Sequence, residues 1–401
     1  MAKYNADGAW SIVMNPNNGE ILAIASKPDY FPSNYNDYST EVVNRNLAIW
    51  ATYEPGSTFK IITLAASIEE KTVDLINDTF YDGGSVNVDG ARIKCWKHGG
   101  HGAQTYLQVV QNSCNPGFVS LGQKLGKERL FKYINNFGFG KKTGIDLNGE
   151  ANGILFNLDK VGPVELATTA FGQGISVTAI QQITAVAAAI NGGYLYKPYI
   201  VKRIVEPNTG EIIVANEPQK IRNVISKETS ETVRMALETV VAYGTGRNAY
   251  IEGYRVGGKT GTAQKVKNGV YMTGNYIVSF MGFLPADKPQ AVIYVAVDNP
   301  KGVTQYGGTV SAPIAKNIMY DIIDELKIKP SEYTLEKTYN WYDTKYVKVP
   351  DIINMNIDDV RKELKMFTIN YAGEGKIIKT ISPTPGTYLP ENSQIKILLG
   401  N

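Results

Sequence analysis

The order of the secondary-structure patterns is the feature that most constrains the fold of this chain. Alternating apolar residues predict a β-hairpin over 10–26, and the same alternation predicts three strands over 256–264, 276–283 and 291–297. Predicted helices lie between the hairpin and the three strands, and one more helix is predicted over 312–326. A strand pair, then helices, then three strands and a helix predict an α+β domain built on an antiparallel sheet.

Four helical patterns lie between the hairpin and the three strands. The first is apolar on nearly every side, which is typical of a buried central helix. The second is predicted in two pieces that are broken at Asn115-Pro116-Gly117. In chain order the patterns cover residues 57–71, 104–125, 178–190 and 227–243.

The length of 401 residues predicts more than one domain. A polar, tyrosine-rich stretch over 329–346 separates the pattern above from a short C-terminal part, so we predict domains at 1–328 and 347–401 with a linker between them. In the C-terminal part, Asn356 can cap a helix, and alternating residues predict strands over 368–371 and 394–399.

Charge and hydropathy give no sign of a nucleic acid partner or of a membrane-spanning segment within this sequence. The chain has 41 basic and 38 acidic residues, and this balance gives no reason to expect a nucleic acid partner. No run approaches the roughly 18 apolar residues of a membrane-spanning helix, and no signal peptide is recognisable. Since a folded pattern begins almost at once, we expect any targeting segment to lie outside the sequence given.

Ser57-Thr58-Phe59-Lys60 is the first candidate for chemistry. A spacing of three on a helix places both polar side chains on one face, and a neutral lysine amine can activate a serine hydroxyl. By itself the motif is weak, because a capping serine and a solvated lysine give the same pattern. The apolar neighbours of Lys60 favour an ammonium that points into a cleft instead.

Two further short motifs strengthen this assignment. Ser113-Cys114-Asn115 lies at the predicted break between two helices, and Lys259-Thr260-Gly261-Thr262 lies in a predicted strand. S-x-x-K at a helix start, S-x-N on a turn and K-T-G on a strand, in this order, together indicate an active-site-serine acyltransferase.

Two rival motifs are weaker. Residues 253–260 satisfy G-x-x-x-x-G-K-T, but a phosphate-binding loop must open a helix, and residues 261–266 continue as a strand. A Ser-His-Asp hydrolase is also disfavoured, because the chain has no G-x-S-x-G elbow and no histidine near Ser57.

With these motifs the chain resembles the class B penicillin-binding proteins, which are peptidoglycan D,D-transpeptidases and targets of β-lactams. The resemblance covers about residues 1–326. It implies the β-lactamase-like fold of penicillin-recognising serine transpeptidases, in which helices flank an antiparallel sheet, with an all-helical lobe over about 62–170. Residues 347–401 resemble one small α+β PASTA domain. The segments that carry the resemblance are 19–23, 53–60, 172–178, 258–264, 349–351 and 383–386.

The resemblance also implies catalytic roles. Ser57 attacks the penultimate D-Ala carbonyl of a stem peptide, and Lys60 takes its proton. Ser113 passes a proton to the leaving amine, and Lys259 holds that hydroxyl. No cofactor is needed for this chemistry.

Substrate binding is implied for the neighbouring positions. Asn115 binds the substrate amide, and Thr260 and Thr262 bind the substrate or β-lactam carboxylate. Gly261 leaves room for close backbone approach, and the N–H groups of Ser57 and Thr262 form an oxyanion hole.

The biological setting follows from the same resemblance. Ser-Cys-Asn as second motif together with one PASTA domain is typical of sporulation members of the family, which implies spore cortex synthesis at the forespore envelope. The family implies a location on the extracytoplasmic face of the membrane, an N-terminal anchor outside this sequence, and a glycan-polymerising membrane protein as partner. A septal or elongation enzyme, a D,D-carboxypeptidase and a non-catalytic penicillin or wall sensor stay open as alternatives.

Both cysteines and both histidines of the chain lie within 20 residues of each other: Cys95, His98, His101 and Cys114. These residue types and this number are typical of a structural zinc site, although the order is unusual. Three other interpretations stay open: solvated loop histidines, a Cys95–Cys114 disulfide, and a buried Cys114 that only fills space.

Overall fold

Five antiparallel strands form the central sheet, in the spatial order β11-β12-β13-β1-β2. The computed structural model describes residues 1–267, 269–338 and 346–401. The strands β1 to β18 of these residues are Gly8–Met14, Ile21–Lys27, Thr79–Asp82, Ser85–Val88, Ala91–Lys94, Gly102–Thr105, Tyr194–Tyr196, Arg203–Val205, Ile212–Ala215, Lys220–Asn223, Gly257–Lys267, Val270–Leu284, Ala291–Asp298, Tyr346–Lys348, Thr368–Ala372, Ile377–Ser382, Tyr388–Pro390 and Gln394–Gly400. The predicted hairpin and the three later strands therefore share one sheet.

Helices cover both faces of this sheet. The α-helices α1 to α10 of the described residues are Thr40–Asn44, Leu47–Trp50, Lys60–Glu69, Tyr106–Gln111, Asn115–Leu125, Lys127–Asn136, Pro163–Thr169, Ala179–Ile190, Lys227–Ala242 and Gly307–Glu325. Successive side chains of β1 point to opposite faces of the sheet and belong to different cores. Ile12 and Met14 pack with α3 and α8, whereas Val13 packs with α10. The predicted α+β fold, with helices on both sides of an antiparallel sheet, is confirmed.

The lobe over 62–170 differs from the prediction, because it is not all-helical. Strand β3 pairs with β6, and β4 pairs with β5. Each of these strands has four residues, which is too short for a period of two to stand out in the sequence.

The break between α4 and α5 also lies earlier than predicted. It falls at residues 112–114, whereas Asn115 and Pro116 already belong to α5. Proline favours the first turn of a helix, because its missing N–H would be unpaired there in any case. Ser113 and Cys114 thus form the connection between two helices.

The chain separates into two units, Met1–Lys337 and Thr338–Asn401. The first part of the predicted linker packs against the first unit: Ser331 N–H donates to Gly253 O at 2.9 Å, and Tyr250 Oη donates to Leu335 O at 2.9 Å. Residues 339–345 of that linker lie outside the described residues.

The second unit has its own small core around Val349, Ile378 and Ile395. Its sheet runs β15-β18-β16, with a parallel and an antiparallel pair. Asn356 Oδ1 accepts the N–H of Asp358 at 3.0 Å, as a cap does, but 357–366 forms consecutive turns instead of the predicted helix.

The hydropathy of the helices gives one further result. Among the residues that the structure describes, no helix is both long enough and apolar enough to cross a membrane.

Candidate active site

Ser57 lies on a single tight turn that opens α3. Residues Gly56–Thr58 form this 3₁₀ turn, and α3 starts at Lys60. Gly56 has φ +55° and lies against β11, where an added Cβ would be 3.1 Å from Thr262 O. The turn therefore needs glycine at this position, and it holds Ser57 next to strand β11.

Lys60 is fully buried and makes three hydrogen bonds. Its Nζ donates to Ser113 O at 2.8 Å, to Ser113 Oγ at 3.2 Å and to Asn115 Oδ1 at 2.7 Å. Burial lowers the pKa of Lys60 to about 7, against a smaller opposing effect of Cys114 and Cys95. A substantial fraction of this amine is consequently neutral near pH 7 and can accept a proton.

Ser113 Oγ lies between two lysines. Lys259, on β11, donates from its Nζ to Ser113 Oγ at 2.7 Å and to Thr260 O at 3.1 Å. Burial and then the nearby charge of Lys60 keep the pKa of Lys259 well below its ordinary value. Ser113 has φ +52°, which turns its side chain into this position between α4 and α5.

The hydroxyl of Ser57 stands apart from this network. Ser57 is half-buried, and its side chain has no hydrogen bond to the residues that the structure describes. The structure thus brings Lys60, Ser113 and Lys259 together by direct contacts and places Ser57 on the turn that leads into Lys60.

Strand β11 offers an open edge for a ligand. It is an outer strand of the sheet, so Lys259–Thr262 pair with β12 on one side only. An extended peptide can add to such an edge through backbone hydrogen bonds. A Cβ at Gly261 would overlap Ser279 Oγ, so only glycine fits at this point.

The two threonines of the strand are held by residues that the sequence analysis missed. Thr260 Oγ1 shares a hydrogen bond of 2.9 Å with Thr245 Oγ1, and Gly307 N–H donates to Thr262 Oγ1 at 3.3 Å. Thr245 lies in a short loop after α9 and belongs to none of the three motifs. Only its position beside β11 in the structure identifies Thr245 as part of the site.

A compact group of possible metal ligands lies behind Ser113. The side chains of Asp82, Cys95, His101 and Cys114 each offer one ligand atom, and these atoms lie within 4.8 Å of one another. His101 Nδ1 is 2.8 Å from Asp82 Oδ2 and 3.4 Å from Cys95 Sγ, and Cys114 Sγ is 3.3 Å from Asp82 Oδ2.

This group differs from the predicted set in one member. His98 lies exposed on the loop outside it, and Asp82 from the end of β3 takes the fourth place. The tight turn at Gly99-Gly100 explains the exchange: Gly100 packs against Asp82 O, so His101 turns inward while His98 stays in solvent. Both cysteines are free in the structure, so the disulfide interpretation has no support here.

The charge state of the group suits a cation. Although burial raises the pKa of Asp82, hydrogen bonds from Cys95 and His101 outweigh burial and lower this pKa to about 2. The pKa of Cys95 is lowered by its hydrogen bond with Cys114, whereas that bond and burial raise the pKa of Cys114. Carboxylate, imidazole and thiolate are the ligand types that zinc prefers.

The rival phosphate-binding motif fails in the structure. Gly258, Lys259 and Thr260 lie within strand β11, which pairs with β12, and they open no helix whose N–H groups could bind phosphate oxygens.

Comparisons with known proteins agree with this geometry. Residues 10–320 match the family "Penicillin binding protein transpeptidase domain", and residues 347–401 match "PASTA domain". The chain is 59% identical to stage V sporulation protein D of Bacillus subtilis, over 99% of this chain and 62% of that protein. It is 32% identical to the "Peptidoglycan D,D-transpeptidase FtsI homolog" of Mesostigma viride, over 85% of this chain and 60% of that protein.

A solved structure shares the fold. Penicillin-binding protein 3 of Mycobacterium tuberculosis in complex with aztreonam is 30% identical, and the match covers 84% of this chain and 77% of that one with a TM-score of 0.75. The chain spans less than two thirds of the length of the curated relatives named above. The fold, the three motifs and the match over residues 10–320 show that the chain belongs to the penicillin-binding protein transpeptidase family.

Proposed function

We propose that this protein is a peptidoglycan D,D-transpeptidase that works through an acyl-enzyme on Ser57. One observation carries the proposal. The buried amine of Lys60, with a pKa of about 7, and the amine of Lys259 both donate a hydrogen bond to Ser113 Oγ, and Lys60 directly follows the turn that carries Ser57. A serine, a lysine that can be neutral and a second serine that relays a proton are what acyl transfer without histidine requires.

Acylation uses these groups in sequence. Neutral Lys60 takes the proton of Ser57, whose Oγ bonds to the penultimate D-Ala carbonyl carbon of the donor stem peptide. Ser113 passes its proton to the departing D-Ala nitrogen as the C–N bond breaks and takes the proton of protonated Lys60 in return, while Lys259 stabilises the charge that develops at Ser113 Oγ. An acceptor amine then attacks the ester, forms the new peptide bond and returns the proton to Ser57.

Residues that line the cleft bind the donor peptide. Asn115 binds the donor amide, and Thr260 and Thr262 bind the terminal carboxylate beside Gly261. The N–H groups of Ser57 and Thr262 stabilise the oxyanion. Because β11 is an outer strand, its edge can hold the donor peptide in extended form.

Two other functions predict different products. In a D,D-carboxypeptidase, water replaces the acceptor amine and hydrolyses the acyl-enzyme. A penicillin or wall sensor has no catalytic turnover. Incubation with benzylpenicillin followed by mass spectrometry separates either enzyme from a non-catalytic binding protein: we expect a stable adduct of one penicillin on the Ser57 peptide, and none in Ser57→Ala. Absence of an adduct from the wild-type protein supports a binding module without turnover, and rapid loss of the adduct indicates a β-lactamase.

For the cellular role we propose spore cortex synthesis on the extracytoplasmic side of the membrane, where peptidoglycan is assembled. The name of the Bacillus relative supports this role over a septal or elongation role. A membrane protein that polymerises glycan strands is the partner that this role requires, and an N-terminal membrane anchor stays a prediction.

We further propose that Asp82, Cys95, His101 and Cys114 hold one structural zinc ion. Ligand atoms of a tetrahedral zinc site lie about 3.3–3.8 Å apart, and the present group needs only small side-chain shifts to reach this spacing. Four protein ligands leave no open position, so the ion has no direct chemical role. It ties the loop before β6 to Cys114, between Ser113 and Asn115.

Metal analysis of protein purified without added metal tests this site. We expect about one zinc per chain in the wild type and in His98→Ala, and none in Asp82→Ala or Cys95→Ser. Loss of zinc in His98→Ala would instead support the ligand set predicted from the sequence, which includes His98. A wild type without metal and without titratable thiols would replace the zinc site with a disulfide.

A further inference from the structure

The β8–β9 hairpin of the first unit exposes apolar side chains on both of its faces. All residues of β8 and β9 are exposed, and the two strands form a sheet of their own among the residues that the structure describes. The aliphatic residues in and beside these strands are each between 37% and 62% exposed: Val201, Ile204, Val205, Ile212, Ile213 and Val214. Exposed apolar side chains that are grouped in this way mark a surface that contacts another molecule.

The hairpin is fixed at its base and closed at its turn. The carboxylate of Asp146 accepts the N–H groups of Ile200 and Val201, each at 2.8 Å. At the turn, Glu206 N–H donates to Glu211 O at 2.9 Å. These bonds hold both ends of β8, so the strand is an ordered element that another strand can pair with.

Strand β8 has a free backbone edge. Lys202 O accepts an N–H group at 2.8 Å and Glu206 N–H donates at 2.9 Å, and both partners lie on the β9 side of the hairpin. Because the backbone groups of successive residues in a strand point to opposite edges, the N–H and C=O groups of Arg203 and Val205 point away from β9. In the described part of the chain, no strand pairs with this outer edge.

The outer edge of β9 is interrupted by a β-bulge. The pair Val205–Ile212 is followed by the pair Ile204–Val214, so Ile213 is an extra residue in β9. A bulge bends and twists its strand, and it protects an edge against pairing with another chain. The regular edge of β8 is therefore the one suited to a further strand.

The sequence of β8 is complementary to itself in the antiparallel direction. When Ile204 lies opposite Ile204 of the partner subunit, Arg203 lies opposite the partner's Val205. This pair uses the backbone groups that point outward, so it can exchange two hydrogen bonds. In the same register Lys202 lies opposite the partner's Glu206, which places opposite charges across from each other at both ends of the pairing.

The two charged side chains are available for this contact. Lys202 is 71% exposed, and its Nζ is 3.4 Å from Glu20 Oε1 at the protein surface. The carboxylate of Glu206 accepts the N–H groups of Thr209 and Asn208 in the turn, which lower its pKa and keep it charged. A carboxylate has about four acceptor positions, so Glu206 can also bind a lysine.

We propose that this protein forms a dimer in which the β8 strands of two copies pair antiparallel about a twofold axis and join the two hairpins into one four-stranded sheet. Ile204 and Val214 of both chains then form one apolar stripe, and a Lys202–Glu206 pair lies on either side of it. The contact is isologous and closes with two copies. Since the interface is small, we expect a dissociation constant of about 10–100 μM. The dimer does not depend on the chemistry proposed for Ser57.

Sedimentation velocity of the full chain, over concentrations that bracket this dissociation constant, tests the dimer. The wild type is expected to shift from monomer to dimer with concentration. Val205→Pro removes an outward N–H group and keeps the hydrogen bonds to β9, so it should raise the dissociation constant at least about tenfold. Val205→Thr keeps that N–H group and is expected to dimerise nearly as the wild type does.

Charge reversal tests the register of the pairing. Lys202→Glu and Glu206→Lys each place like charges opposite each other, and each should weaken the dimer about tenfold. An equal mixture of the two variants has opposite charges at both ends and should dimerise as the wild type does. Lys132→Glu is the matched control, because Lys132 is 62% exposed on α6 and its Nζ lies 3.8 Å from Glu70 Oε1. It should leave the dimer unchanged.

Three results would overturn the proposal. The first is a wild-type protein that stays monomeric at about ten times the highest expected dissociation constant. The second is a Val205→Pro dimer as tight as that of the wild type, which would place the contact elsewhere. The third is a mixture of the charge-reversed variants that associates no better than either variant alone, which would assign their effects to the turn or to Glu20. Thermal unfolding checks the fold of each variant.

Discussion

Replacing Lys60 with alanine is expected to slow acylation of Ser57 by benzylpenicillin about a thousandfold while the fold stays intact. Positioned general bases contribute about 10²–10⁴ in rate, and Lys60 is the buried lysine at the start of α3, directly after the turn that carries Ser57. The variant also removes the donor to Asn115 Oδ1, so the cleft wall loses support together with the base. Acylation is measured as the rate of adduct formation, with thermal unfolding as the check on the fold.

Lys316→Ala is the matched control for this variant. Lys316 lies on α10, and burial lowers its pKa to about 8, so it is a second lysine in a partly apolar setting but outside the cleft. It is expected to acylate at the wild-type rate. Wild-type acylation by Lys60→Ala would refute the role of Lys60 as base.

The pH dependence of acylation provides a second measurement for the same residue. Burial lowers the pKa of Lys60 to about 7, and only the neutral amine accepts a proton. The rate should therefore rise with pH, about tenfold per unit below pH 7, and level off above it. A rate that stays constant between about pH 5.5 and 8.5 would exclude titration of Lys60 as the controlling step.

Gly172→Ala is expected to slow acylation about a hundredfold and to destabilise the first unit. Gly172 has φ +86°, and an added Cβ would overlap the carbonyl oxygen of Gly56 and lie 2.8 Å from Phe59 Cβ. Gly56 N–H also donates to Gly172 O at 3.0 Å, so the Ser57 turn must move if Gly172 moves. A displacement of about 1 Å at a reacting atom can cost about a hundredfold in rate.

Gly210→Ala separates backbone strain from this overlap. Gly210 has φ +74°, but an added Cβ meets nothing within 4 Å. It should cost about 1–2 kcal/mol of stability and leave acylation unchanged. If both variants lower acylation equally, contact between Gly172 and the Ser57 turn is not the cause. The rates and the unfolding temperatures of both variants are measured side by side.

The sequence by itself determined the features that depend on local pattern. The hairpin, the K-T-G strand and the helix after Ser57 each span enough residues for a period of two or 3.6 to appear, and the structure has all three. The three motifs and the resemblance predicted the family, which the match over residues 10–320 bears out. The break between α4 and α5 was misplaced by a few residues, because proline at the start of a helix resembles a helix breaker in sequence.

Only the tertiary structure decided which distant residues meet. Asp82 has no spacing relation to Cys95, His101 and Cys114, and it joins them because β3 ends where the Gly100 turn packs. Thr245 reaches Thr260 from a separate loop, and the rings of Trp96 and Tyr306 meet although the two residues lie far apart in the sequence. Such contacts depend on how complete elements pack against each other, and a local pattern of residue types carries no record of that packing.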